Sequence, residues 1–239
     1  MQMDLEIFTI VFDNGRGDNF MKLGIYGLGA MGKSLFSIIY SKADSEEREN
    51  FVLVDDVVED REFMGYSIIT FEEMKELYSN DKIELITLNG DPHVRKILFD
   101  KIINNGYRMG TYVDSDAFID ETVTIGEGSA LICEGVYVLL DAKIGKNSLV
   151  YNSNVGHHVT VKDHCTLSSR VVIAGYCEIG DESYIGANAS LSDGIKVGDR
   201  SIVTIGAALF KNVPDESIAI GSPAKILKRD INKGMFSGH

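Results

Sequence analysis

From Val113 to Leu209 an aliphatic side chain returns every six positions, and that spacing constrains the chain more than any other feature. Val113, Ile119, Ile125 and Leu131 lie on one lattice, and Val161, Leu167, Ile173, Ile179, Ile185, Leu191, Val197, Val203 and Leu209 lie on it again. Between the two runs, Ile144 and Val150 fall one residue late, so the register slips once and recovers. A six-residue period predicts a parallel β-helix in which each short strand turns one aliphatic side chain inward. Gly126, Gly145, Gly180, Gly186 and Gly198 directly follow an inward residue, where they are expected to supply the unusual backbone angles of a turn. The lattice faults around Tyr151–His158, and a fault in a regular solenoid is a place where function is expected to outrank regularity.

The composition excludes several classes. An apolar content of 44% rules out wholesale disorder, and a net charge of −13 argues against nucleic-acid binding, which needs clustered Lys and Arg. The chain has no apolar run of membrane-spanning length. The first twenty residues carry acids and no basic n-region, so a cytoplasmic location is expected. Cys133, Cys165 and Cys177 are odd in number and far apart, which predicts small buried hydrophobes and no disulfide framework.

A different pattern precedes the coils. Lys22–Tyr26, Phe51–Val54 and Glu84–Leu88 are apolar strand candidates, alternating with helix candidates at 33–40, 71–78 and 93–104. This predicts a small parallel α/β sheet, ending near Gly106–Gly110. The expected divisions are an N-terminal extension (1–20), a Rossmann-like domain (21–108), a β-helix (109–224) and a tail (225–239). Gly27-x-Gly29-x-x-Gly32 sits between the first strand and helix, as a phosphate-binding loop would; a merely tight turn fits the same glycines. Asp55 and Asp56 close the second strand.

His157 and His158 are the candidate chemical groups of the coils. On a strand they would point to opposite faces, so one is expected to project outward as a proton acceptor; an exposed or capping role also fits. His164 reads as a turn residue, and His93, beside Pro92, as structural or at a ligand rim. The histidines lack carboxylate or Cys partners at ligand spacing, so no metal is expected.

Together, Tyr26-Gly27-x-Gly29-Ala30-Met31-Gly32-Lys33, Asp55-Asp56, the coils with a His in the irregular one, and Gly221-Ser222-Pro223-Ala224-Lys225 resemble a known family. It is the sugar-nucleotide N-acetyltransferases of the hexapeptide-repeat superfamily. The likeness extends to enzymes acting on UDP-4-amino sugars of the bacillosamine pathway and to sialic-acid-type O-acetyltransferases, and covers about Met21 to Lys228. The resemblance implies a left-handed coil, an exception to the usual crossover rule. It also implies a homotrimer, acetyl-CoA as co-substrate and a UDP- or dTDP-linked amino sugar as acceptor. His157 would be the general base of direct transfer, with His158 beside it. The Gly175 N–H would receive the oxyanion, Gly206 would line the pantetheine slot, and Lys225 would meet the CoA phosphates. In the front domain Gly27, Gly29, Ala30, Met31 and Gly32 would surround the pyrophosphate. Asp55 and Asp56 would lie near the base or ribose, with Gly90 and Arg95 as further phosphate contacts.

The chain departs from the family pattern at several points. Gly156 and His158 flank His157 where acids are usual, which leaves Asp141 or Asp163 as distant replacements. Thr166 and Met31 replace common histidines, and Arg170 replaces a small residue. A non-catalytic nucleotide-sugar-binding trimer, an O-acetyltransferase and a different acyl donor remain open on these residues.

Overall fold

The structure is a computed structural model and describes residues 21–232. The predicted extension at 1–20 and the end of the tail lie outside the described residues.

The front domain follows the predicted alternation. Its elements are β1 (Lys22–Tyr26), α1 (Ala30–Lys42), α2 (Ser45–Glu49), β2 (Phe51–Val54), β3 (Glu62–Phe63), β4 (Tyr66–Ile69), α3 (Phe71–Leu77), β5 (Ile83–Thr87), α4 (Pro92–Asn104) and β6 (Arg108–Met109). The sheet order is β3-β4-β2-β1-β5-β6, parallel except for the β3–β4 hairpin. β2 and β5 are buried nearly throughout, so they read as continuous apolar runs, as strands covered on both faces do. The polar segments give their own start signals: Asp44 with Glu47 and Thr70 with Glu73 form capping boxes, and Asp91 caps α4 ahead of Pro92. α2 and the β3–β4 hairpin carry little apolar periodicity and were not expected from the sequence.

Past Gly110 the chain winds into a parallel β-helix. Three sheets form its faces. The first runs through Tyr112–Val113, Ala130–Ile132, Leu149–Tyr151, Thr166–Leu167, Tyr184–Ile185, Ile202–Val203 and Ser217–Ile220. The second runs through Phe118–Ile119, Tyr137–Val138, Asn154–Val155, Val172–Ile173, Ser190–Leu191 and Ala208–Leu209. The third runs through Thr124–Ile125, Lys143–Ile144, Thr160–Val161, Glu178–Ile179 and Lys196–Val197. The lattice residues form one column of core, with Ile119 and Ile125 partly buried at its edge. The tail does not leave the fold at once, because Lys225–Lys228 pairs antiparallel with Ser217–Ile220.

One expectation about the turns is corrected and another is narrowed. The glycines after inward residues do not supply the left-handed backbone; that conformation falls two residues further on, at Asn147, His158, His164, Arg170, Tyr176, Glu182, Asn188 and Arg200. Gly145, Gly180 and Gly198 are there because a Cβ would come within 2.3–2.6 Å of the next coil. That close approach lets Asp163, Asp199 and Asp215 each accept a backbone N–H from the coil before, at 2.8–2.9 Å, and Asp181 makes the same bond at 2.9 Å beside Lys162. The register fault is narrower than expected, taking in only the start of Tyr151–His158 together with an insertion one coil earlier. Val138 pairs with both Ile119 and Val155, so the extra residue and the missing one sit at the first-to-second corner, around Gly135 and Asn152. Asn152 bridges the fault by donating to the Glu134 carbonyl at 2.9 Å. His157 and His158 occupy a regular turn at the second-to-third corner.

The two domains share an interface at the third-to-first corner. Apolar residues of the sheet, among them Leu23, Ile86 and Leu88, pack with Tyr112, Ala130, Ile132 and Leu149 of the first face. Thr87 Oγ1 donates to Asn147 Oδ1 (2.5 Å) and Thr166 Oγ1 to the Gly90 carbonyl (3.0 Å).

Candidate active site

His157 is built into a corner shared by three successive coils. Asp141, His158 and Tyr176 all hold left-handed backbone at equivalent turn positions. The His157 ring lies over Gly175, where a Cβ would come within 2.5–3.0 Å of three ring atoms. Tyr176 meets His157 edge-on (5.0 Å, 84°) and stacks on His158 (4.8 Å, 26°). The Nδ1 atoms of His157 and His158 are 3.2 Å apart, and His158 Nε2 is 3.4 Å from Asp141 Oδ2. Both histidines are exposed, so the expectation that they alternate across a strand is corrected: they share a turn.

Neither suggested replacement acid touches His157. Asp141 reaches His158 instead, and Asp163 lies at the third-to-first corner, holding the Lys146 N–H at 2.8 Å.

Gly206 has left-handed backbone and open space around its Cα, at the first-to-second corner. Lys225 begins the exposed final strand, which abuts the same corner: the Ala224 N–H donates to Ala208 O at 2.8 Å. Gly206 and Lys225 thus sit along one edge of the second face, and His157 with Gly175 along the other. Within one chain these two groups do not meet. Phe118, Tyr137 and Val172 make the intervening face apolar and exposed.

In the front domain the Gly-rich loop divides by role. Gly27 has φ +98°, and a Cβ on Gly32 would fall 1.9 Å from the Gly27 carbonyl, so these two make the tight turn. Gly29 is open, with no neighbour within 4 Å, and no side chain caps the start of α1. Gly29 and Ala30 are exposed, and Met31 is half-buried beside Gly90, where a Cβ would strike its sulfur. The open amides of α1 form the surface that an anion could approach.

Three sequence-predicted ligand contacts are otherwise engaged. Asp55 is buried and accepts the N–H groups of Leu28 (2.6 Å), Val57 (2.8 Å) and Val58 (2.9 Å), fixing the loop. Asp56 is bound by the Tyr26 hydroxyl, Lys101 Nζ and the Phe71 N–H. Although burial opposes ionisation of Asp56, these bonds hold its carboxyl below the usual range.

Arg95 is the clearest correction. It is 1% exposed, and its five N–H groups go to Asn147 O, Asn89 O, Thr166 Oγ1, His164 O and Cys165 O at 2.6–2.9 Å. No donor remains for a phosphate. Burial without a carboxylate partner pushes its pKa down to about 10. Thr166, where the family often has a histidine, is buried and completes this tie.

The remaining candidates are structural. His164 is half-buried against Phe99, and its Nδ1 accepts from Asn147 Nδ2 at 2.9 Å; burial lowers its pKa. His93 is exposed and lies 3.1 Å from Glu182. Cys165 and Cys177 are free and buried, and burial pushes the Cys165 thiol up to about 12, far from a nucleophile's range. Among the described residues no group of three or more His, Cys, Asp or Glu could hold a metal, and no helix is long and apolar enough to cross a membrane.

Sequence reading missed Tyr176 and the contact of Asp141 with His158. The signal was present: residues one coil apart stack, so once the fault is located, Asp141, His158 and Tyr176 fall in one column.

A parallel β-helix behind a small α/β domain, with a histidine at a coil corner over a glycine of the next coil, defines a class. In sequence and fold the chain is homologous to the hexapeptide-repeat sugar-nucleotide acetyltransferases, and its coil matches their left-handed β-helix. GDP-perosamine N-acetyltransferase of Escherichia coli O157:H7 is 25% identical over 215 residues, covering 86% of this chain and 96% of that protein. The structure of WeeI from Acinetobacter baumannii AYE superposes with a TM-score of 0.79 at 27% identity, over 87% of this chain and 100% of that one. PerB from Caulobacter crescentus, in complex with CoA and GDP-perosamine, gives 0.76 at 23% identity over 86% and 97%. The putative acetyltransferase YvoF of Bacillus subtilis (strain 168) is 37% identical over 82 residues, 34% of this chain, which spans about half (47%) of its length. No family model matches the chain.

Proposed function

We propose that the chain transfers an acetyl group from acetyl-CoA to the amino group of a nucleotide-linked amino sugar, with His157 as general base. The observation that carries this reading is the His157 ring lying over Gly175, with Nδ1 occupied and Nε2 unengaged among the described residues. Nε2 takes the amine proton as the nitrogen attacks the thioester carbonyl, and returns it to the sulfur as the C–S bond breaks, so that CoA leaves as the thiol. The Gly175 N–H has no acceptor among the described residues and is available to the developing oxyanion. No acyl-enzyme is required, which suits the inert Cys165.

The acceptor's nucleotide lies at the open N-terminus of α1, near Gly29, Ala30 and Met31. GDP joins UDP and dTDP as a candidate, because the relative spanning nearly its whole length is a GDP-perosamine enzyme. Arg95, Asp55 and Asp56 shape the domain and leave the ligand to backbone groups. The apolar second face supports a trimer formed through it. In such an assembly the edge bearing Gly206 and Lys225 faces the His157 edge of a neighbour, and CoA lies between two copies. The reaction involves no metal and takes place in the cytoplasm.

The test is CoA thiol release with a panel of GDP-, UDP- and dTDP-linked amino sugars, alongside His157→Ala. Release with one acceptor, lost in the variant, supports the reading; release that survives His157→Ala removes the base, and none with any acceptor removes the reaction. Mass by light scattering checks the trimer.

A further inference from the structure

The acid expected beside His157 is absent from the sequence, yet the corner holds a carboxylate two rings away. We infer that Asp141 and His158 form a relay that fixes the proton of His157 on Nδ1 and leaves Nε2 as the free base. The inference rests on the transfer reaction proposed above and concerns positioning residues, not groups that touch substrate.

The argument follows the protons. Two imidazole Nδ1 atoms 3.2 Å apart need one proton between them, since two would repel and none would set lone pair against lone pair. Asp141 settles which ring supplies it. Its carboxylate, 3.4 Å from His158 Nε2, favours the tautomer with a proton there. His158 Nδ1 is then an acceptor, and the proton between the rings belongs to His157. When His157 Nε2 takes the amine proton, the new imidazolium donates through Nδ1 to His158, whose far side faces the carboxylate. The proton leaves again only through Nε2, to the departing CoA sulfur, and no further reactant enters.

The geometry is held from outside the relay. Tyr176 stacks on His158 and meets His157 edge-on, while Gly175 gives the His157 ring its seat. Among the described residues, the titratable groups in contact with the two rings are each other, Tyr176 and Asp141. Asp141 and His158 have φ of 56° and 59°, which Asn tolerates better than other side chains. Asn substitutions therefore remove the relay with little backbone cost.

The experiment uses the full chain and two readouts. Ring ¹⁵N NMR near neutral pH should find His157 protonated on Nδ1 and His158 on Nε2, with the His157 preference reduced in D141N. Turnover should fall ~10- to 100-fold in D141N and in H158N, in kcat with KM little changed. The double variant should be no slower than the slower single one, as expected of groups acting as a unit. His157 protonated on Nε2 in the native chain, or a D141N variant with native kcat and native His157 tautomer, would overturn the relay. Native tautomers in a chain that acetylates no acceptor would support the relay while removing the transfer reaction.

Discussion

Arg95→Ala should be among the most damaging single changes in this protein, although Arg95 touches no proposed substrate. The guanidinium reaches from α4 into the coils and satisfies four carbonyls and one hydroxyl, in a site where Thr166 is 0% exposed. A buried acceptor that loses its donor costs about 1–3 kcal/mol. The cavity left by Ala admits water that repairs some of these acceptors. The net loss should therefore resemble that of breaking a buried charged network, about 3–5 kcal/mol, and not the sum over five groups. Arg95→Lys keeps at most three donors and should recover only part. Urea unfolding followed by circular dichroism and tyrosine fluorescence, at fixed protein concentration, measures the loss; the chain has no Trp to confound it. Because four of the five acceptors belong to the coils while Arg95 belongs to α4, amide exchange in β1 and β5 should quicken before exchange in the coils. An Arg95→Ala protein within about 0.5 kcal/mol of native, with unchanged exchange, would refute the idea that Arg95 ties the domains together.

Other consequences are open to direct measurement. Gly175→Ala should cut turnover about 100-fold or more by displacing the His157 ring, readable as a shift of the His157 resonances with folding intact. Gly180→Ala should cost about 1–3 kcal/mol in chemical denaturation, since its Cβ would lie 2.5 Å from the Asp199 nitrogen, whereas Gly194→Asn, with open space at φ +69°, should be nearly neutral. His164 has its pKa lowered by burial, so the unfolded chain binds the proton more readily. Stability from this group is therefore complete well above pH 6.5 and is lost as pH falls from there toward the lower folded value; His164→Asn, suited to φ 60°, should flatten that limb of a melting-temperature profile.

The six-residue spacing was enough to place the β-helix, because only an inward column of aliphatic side chains makes such a repeat necessary. The front sheet was legible for a related reason: buried β2 and β5 are apolar runs, and helices 33–40 and 93–104 show their periodicity. α2 and the β3–β4 hairpin escaped because they bury little and leave only capping residues as a trace. The site was legible in part. His157 over Gly175 follows from the coil offset, as does Tyr176 over His158, since neighbours in a coil column are fixed by the backbone pairing. Asp141 enters that column only after the fault is assigned to its corner, which requires knowing which strands pair.

What the sequence could not decide is where polar side chains spend their hydrogen bonds. Asp55, Asp56 and Arg95 have the composition of a phosphate and ribose site, and tertiary structure turns each of them to backbone groups or neighbouring side chains instead. The reason is physical: a repeat records what must be buried, because burial acts on every coil alike, whereas a charged group can be satisfied by a ligand or by the fold. The choice between those partners is made only when distant segments meet. By itself the sequence determined a coil and a small α/β domain with a histidine at one corner. Only the tertiary structure decided that Arg95 ties the halves together, and that His157 faces another histidine with the carboxylate beyond it.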